Sequence, residues 1–305
     1  MTREIARPSA PARTPPGGPA IRRVGTLAEY HECVAIQQET WGADFTEYVP
    51  AIILQVAQKI GGVVAGAFAE DGRMLGFVFG LAGVIDGRPV HWSDMLAVRP
   101  EARGARIGEH LKRYQQHLAR AAGAEAMYWT FDPLVARNAH LNLARLGARA
   151  VEYVPNMYGD NTSSPLHAGL PTDRLVAKWD LVPGDGMLGD GVSGDGAADL
   201  VARHADAVIT IAAPEGMPTF AAATAPDVPL VRIAVPREFH ELPPVLRAAW
   251  RTATREAFLT YLRRGYAVTA FRRASGSDLP YYELERAARP SVAPPITPSS
   301  HEILR

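Results

Sequence analysis

HWSDMLAVRPEARGARIGEHL, residues 91–111, passes from a strand pattern to a helix pattern across one short loop. His91 to Val98 has the length of a strand. Arg99 to Arg106 supplies proline, arginine and glycine, and from there Ile107, Leu111, Tyr114 and Leu118 recur at helical spacing on one face. A loop that turns a strand into a helix presents several backbone N–H groups at the positive end of the helix dipole, which suits a pyrophosphate. On spacing alone, a loop that merely caps a helix fits equally well.

Upstream, the pattern predicts helices over Leu27–Trp41 and Val49–Lys59, the second stopped by Gly61 and Gly62. Strands follow at Val63–Ala69, Met74–Val84 and Val90–Val98. Turns at Asp71-Gly72 and Asp86-Gly87 join them into an antiparallel meander. Downstream, Gly123 caps the helix from Ile107, Ala126–Phe131 is a strand, and Arg137–Leu146 is a helix ended by Gly147. Ala150–Val154 and Leu175–Leu181 close the domain as two more strands.

These elements fill residues 21–182. Residues 1–20 and 288–305, rich in proline, read as a disordered arm and tail. Residues 183–198 read as a flexible Gly/Asp linker, whose Asp185, Asp190 and Asp195 repeat every five residues and not at a calcium-binding spacing. Residues 199–287 predict a smaller α/β domain, with strands at Ala207–Ala212, Leu230–Val235, Ala267–Arg272 and Tyr281–Glu285. Its helix, Pro243–Arg264, carries Leu246, Trp250, Ala253, Ala257 and Tyr261 as an apolar stripe that must bury against a sheet. The fold class is α/β in the α+β sense.

Composition narrows the function. A chain of 305 residues exceeds one hydrophobic core, and an apolar fraction of 47% with 21% charged residues is that of an ordinary globular protein. Lysine plus arginine equals aspartate plus glutamate at 32 each, so no global field draws a nucleic acid or an anionic membrane. No apolar run has the length of a membrane span. Cys33 is the one cysteine, which excludes an intramolecular disulfide or multi-cysteine metal site and fits a reducing cytoplasm. His140 has no companions at ligand spacing, so no metal is expected. Hydrolase, kinase and dinucleotide fingerprints are absent from the sequence.

The run Val98-x-Pro100-x-x-Arg103-Gly104-x-x-Ile107-Gly108-x-x-Leu111, placed after a meander and before helix, strand and a helix ending Leu146-Gly147, resembles the acetyl-CoA motif of the GNAT superfamily. The resemblance implies a GNAT acyl-CoA N-acyltransferase fold and an acyl-CoA co-substrate, foremost acetyl-CoA. It implies contacts from Leu96, Val98, Arg103, Gly104, Ala105, Arg106, Ile107 and Gly108. The family pattern has glycine where this chain has Arg106, whose main-chain N–H still donates if its side chain turns outward. Trp129 to Leu134, Asn138 with Asn142, Asn156 to Gly159, Gly169 to Arg174, and Trp250 to Tyr266 are similar to one two-domain bacterial branch of the superfamily. The C-terminal domain then reads as a degenerate copy of half a GNAT fold that shapes the acceptor site or docks on the first domain or on a second subunit in a homodimer.

In the family an amine attacks the thioester directly in a ternary complex, and the protein supplies a proton acceptor, an oxyanion donor and an acid for the thiolate. Asp94, on the fourth strand, fits the base or a hydrogen-bonded strand aspartate. Ser93 faces the other way and is structural. Leu143 stands where the family's acidic tyrosine is common, so Tyr158 or Tyr153 takes that part or packs. Asn138 fits a pantetheine contact or a helix cap. Asp132 and Arg174 fit contacts to the acceptor amine substrate or loop structure, Asp132 lying before Pro133. The competing function is a non-catalytic acyl-CoA-binding or regulatory protein, argued by Leu143 and Arg106.

Overall fold

Asp86 and Gly87 both have positive φ, 51° and 76°, the backbone of a two-residue hairpin turn. They join two strands of the meander, β3 (Met74–Ile85) and β4 (Arg88–Val98). The computed structural model of the protein describes residues 18–159, 169–182, 208–212, 216–273 and 278–286. The expected linker at 183–198, the tail, and all but the end of the arm lie outside the described residues. The chain forms two compact units, one within 1–83 and 89–124, the other within 84–88 and 125–305.

In the first unit, β1 (Ala20–Arg23), β2 (Val63–Phe68), β3 and β4 lie side by side in that order. Thr26 starts α1 (Leu27–Trp41) with a reciprocal cap: its hydroxyl accepts from the Glu29 N–H, and the Glu29 carboxylate accepts from the Thr26 N–H. Arg22 bonds Glu29 at 2.6 Å and holds its carboxyl down at about 2. One core packs Cys33 and Ile36 of α1, Leu54 and Ala57 of α2 (Ala51–Lys59), Phe77, Phe79, Met95 and Ala97. The other packs Val63, Ala65 and Val78 with Ile107 and Leu111 of α3 (Ile107–Ala121), beside Leu96 and Val98.

β4 is not a regular strand. Ser93 bonds a residue of α3, whereas Met95 and Ala97, of the same parity, lie in the α1–α2 core. Side chains alternate faces strictly along a regular strand, so an extra residue is inserted between Ser93 and Met95. The neighbouring strand agrees. A Cβ on Gly80 would lie 2.6 Å from the Trp92 carbonyl, and one on Gly76 would lie 2.6 Å from the Ala97 carbonyl. Four steps along β3 thus match five along β4. The bulge falls at Asp94.

In the second unit, β5 (Ala126–Phe131), β7 (Arg174–Asp180) and β6 (Arg149–Val154) pair antiparallel in that order. The helix expected over 137–146 is a single α-turn, α4 (Ala136–Ala139), that widens into a π-helix over His140–Arg145. Leu146 N accordingly bonds Leu141 O at 2.9 Å, and the buried Asn142 accepts from Trp129 Nε1 at 3.1 Å. A second sheet has the order β10 (Tyr266–Arg272), β11 (Tyr281–Arg286), β9 (Leu230–Ala234), β8 (Val208–Ile209). The strand expected over 207–212 is only two residues long. α5 (Pro244–Arg263) buries the expected stripe from Trp250 to Tyr261 and also Arg251, Thr254 and Phe258, while Leu246 is half-buried. Phe258 stacks on Tyr153 of β6 at 5.2 Å and meets Tyr282 of β11 edge-on at 5.1 Å. The Tyr282 hydroxyl donates to the Pro133 carbonyl at 2.7 Å.

Candidate active site

The loop after β4 is built to leave main-chain donors open. Pro100–Ala102 makes one 3₁₀ turn, Gly104 takes φ 89°, and Arg106, the N-cap of α3, takes the left-handed conformation at φ 59°, ψ 16°. No side chain caps α3. The first-turn N–H groups of Ile107, Gly108 and Glu109 therefore remain for an anion at the positive end of the helix. Arg106 turns its side chain back along the helix to Glu109, at 3.2 Å, which Arg113 also reaches at 3.2 Å. Arg103 donates from Nε to the Val98 carbonyl at 3.2 Å and ties the loop to the strand end. Ala105 is exposed and Leu96 half-buried. A Cβ on Gly108 would meet Leu96 Cδ2 at 3.6 Å, so this glycine faces the strand.

Asp94 keeps an exposed side chain, yet the surrounding protein desolvates it enough to raise its carboxyl above the ordinary value, with Lys112 pulling the other way. Behind it, the buried Lys112 of α3 donates to the buried Ser93 hydroxyl at 2.7 Å. Burial pushes the Lys112 ammonium well down, and Asp94 opposes that shift. His91, also buried, is pushed down to about 4 by burial and by Lys112. The sequence reading missed this polar cluster. Its signal is the spacing Glu109, Lys112, Gln115 beside the apolar stripe, three buried polar positions on one helix face.

In the second unit, Tyr158 is exposed, with its hydroxyl 2.8 Å from Thr130 Oγ1 of β5 and its ring 5.2 Å from the Arg174 guanidinium carbon. Its N–H donates to Thr172 Oγ1 at 2.8 Å. Asp132 caps its own turn through Leu134 N at 2.9 Å, accepts two bonds from Arg251 at 3.0 and 2.5 Å, and lies 3.8 Å from Arg174. Burial works to raise the Asp132 carboxyl, and the charge and bonds of Arg251 overcome it and leave it below the ordinary value. Asp173, fully buried, accepts from Tyr153 at 2.6 Å, from Asn156 N at 3.0 Å and from Arg255 Nε at 2.8 Å. Tyr153 is buried, and burial followed by the Asp173 charge pushes its hydroxyl well up. Asn138 is half-buried in α4, where its own N–H donates to Val135 O at 2.9 Å.

Among the described residues, no cluster of His, Cys, Asp and Glu is gathered for a metal ion, and no helix is long and apolar enough to cross a membrane.

The family model of the GNAT acetyltransferases matches residues 30–147. No curated protein matches the chain. Among solved structures, aminoglycoside 6'-acetyltransferase type Ii is 16% identical, with 54% of this chain and 99% of that chain covered and a TM-score of 0.43. An aminoglycoside 6'-N-acetyltransferase complexed with coenzyme A is 12% identical, covering 54% and 98%, at 0.42. The ribosomal-protein-S18-alanine N-acetyltransferase from Escherichia coli is 15% identical, covering 55% and 97%, at 0.42. The family match runs from α1 to the end of the π-helical turn and takes in the bulged β4, the loop and α3, so the chain carries a GNAT-family domain, that of an acyl-CoA N-acyltransferase.

Proposed function

We propose that the protein moves an acetyl or other small acyl group from coenzyme A to an amine by direct attack. The observation that carries this reading is the uncapped first turn of α3 behind the bulge at Asp94. Main-chain N–H groups from Gly104 to Glu109, that of Arg106 among them, would hold the pyrophosphate, with Arg103 adding positive charge, Leu96, Val98, Ala105 and Ile107 lining the approach, and Asn138 meeting the pantetheine amides. A bulge leaves its extra residue out of the ladder, and the N–H at that point of β4 would be the one to bond a developing oxyanion.

Asp94 accepts the amine proton as the new C–N bond forms, and the C–S bond then breaks. Tyr158, held at Thr130, returns a proton to the departing thiolate. Residues 21–182 hold the cofactor, and 199–287 complete the acceptor pocket beyond the 183–198 linker. Asp132 and Arg174 shape that pocket, Asp132 through its grip on both arginines.

Two substitutions test the reading. Gly104→Val forces a β-branched residue to φ 89° beside the open donors. Calorimetry should show acetyl-CoA affinity down by about tenfold or more, on the scale of one lost charge-assisted bond. Asp94→Asn keeps the shape and removes the base, so thiol release with an amine panel should fall by about 10²-fold or more. Unchanged affinity in the first variant sinks the cofactor site, and unchanged turnover in the second sinks the base.

A further inference from the structure

Lysine is scarce in this chain, present only at positions 59, 112 and 178, while arginine makes up the rest of the 32 basic residues. One of the three is buried. A buried ammonium is costly unless opposed by charge and hydrogen bonds, and an apolar residue in its place would often be neutral or stabilising. Lys112 lies on the face of α3 under β4, bonded to Ser93 at 2.7 Å, and Ser93 is the residue immediately before the bulge. His91 and Gln115 lie on the same side, both buried, and a Cβ on Gly80 would strike them, so only glycine leaves room there. Four polar side chains are thus gathered under the one irregular point of the strand.

We propose that Lys112 is a positioning residue of the transfer site, holding the bulge through Ser93 and, as an ammonium, placing a positive charge behind Asp94 so that Asp94 accepts a proton. The inference rests on Asp94 as the base. Among the described residues of the unit, the neighbouring elements offer no free carboxylate for that role: β3 has no titratable side chain, and Glu32 and Glu39 of α1 are engaged by Arg99. Glu109 is engaged by Arg106 and Arg113, and His91 is held neutral at pH 7. Burial disfavours both charges of the Asp94–Lys112 pair, while each favours the other. The productive state, carboxylate with ammonium, therefore occupies a pH window closed below by Asp94 and above by Lys112.

The test is the pH dependence of kcat/KM for acetyl-CoA in the full-length protein. Two acceptor amines of different basicity are used, because a limb that stays put between them belongs to the protein. Lys112→Met preserves length and apolar bulk. Removing the positive charge should move the acid limb to higher pH and abolish the alkaline limb, so that the loss at pH 6 exceeds the loss at pH 8 by about tenfold. Ser93→Ala keeps the charge but removes its bond to the strand at the bulge, and should shift the acid limb the same way by less. If Lys112→Met unfolds by circular dichroism, the Ser93→Ala profile decides alone. A lowered rate with both limbs unmoved makes Lys112 a packing residue and overturns the proposal. Should Asp94→Asn retain wild-type turnover, the base itself is misassigned, a failure separate from that of Lys112.

Discussion

Arg106 occupies a backbone conformation that L-residues avoid, at φ 59°, and the family pattern has glycine at the same position. The two facts explain each other, because a left-handed residue with a Cβ costs about 1–2 kcal/mol that glycine escapes. Arg106→Gly relieves this strain and loses one exposed ion pair, worth about 0–1 kcal/mol, together with some unfolded-state entropy. The variant should therefore match or slightly exceed the wild type in thermal stability, with acetyl-CoA affinity unchanged within about twofold. A large loss of affinity by calorimetry would give the arginine side chain, and not merely its N–H, a place on the phosphates. The residue was legible in the sequence as a departure from pattern. Its φ was not, since a left-handed N-cap follows from the whole turn.

The elements most legible in the sequence are those governed by neighbours in the chain. Asp71-Gly72, Asp86-Gly87 and Gly123 mark turns and a helix end through backbone conformation alone, and the strands they bound match expectation closely. The π-helix over His140–Arg145 was invisible because it depends on Asn142 reaching Trp129, a tertiary contact. The same holds for the seating of α5. Arg251 and Arg255 stand out on the helix, but their partners Asp132 and Asp173 lie 119 and 82 residues away. Arg251→Met leaves the buried Asp132 without its bidentate partner and should cost about 3–5 kcal/mol in urea unfolding. Adding Asp132→Asn should recover much of that loss in a double-mutant cycle, and strict additivity of the two would show that the pair does not couple.

Across the whole molecule, the groups whose folded values are depressed all lose stability on the acid side. His91 falls from 6.5 to about 4 in the fold, so its contribution is complete above pH 6.5 and is lost as pH drops toward 4. Asp132 and Glu29, also lowered, act further down, Glu29 until about pH 2. Unfolding free energy should thus fall by about 1–2 kcal/mol between pH 7 and pH 5, before any carboxylate titrates far. His91→Asn should shrink that fall, leaving the share of His140 and His240, which burial also lowers. A drop of the same size in the variant would assign it elsewhere.

The near-absence of lysine has a consequence for an enzyme that lives among thioesters. Free ε-amines react with acyl-coenzyme A without help, and every surface lysine is a place where such a protein modifies itself. Here Lys112 is sealed beneath the sheet, Lys178 is half-buried and held 3.1 Å from Asp180, and only Lys59 is exposed. The guanidinium groups that carry the remaining positive charge stay protonated and do not acylate. The chain therefore keeps most of its positive charge in contact with its own reagent, with Lys59 the one exposed ε-amine it can lose.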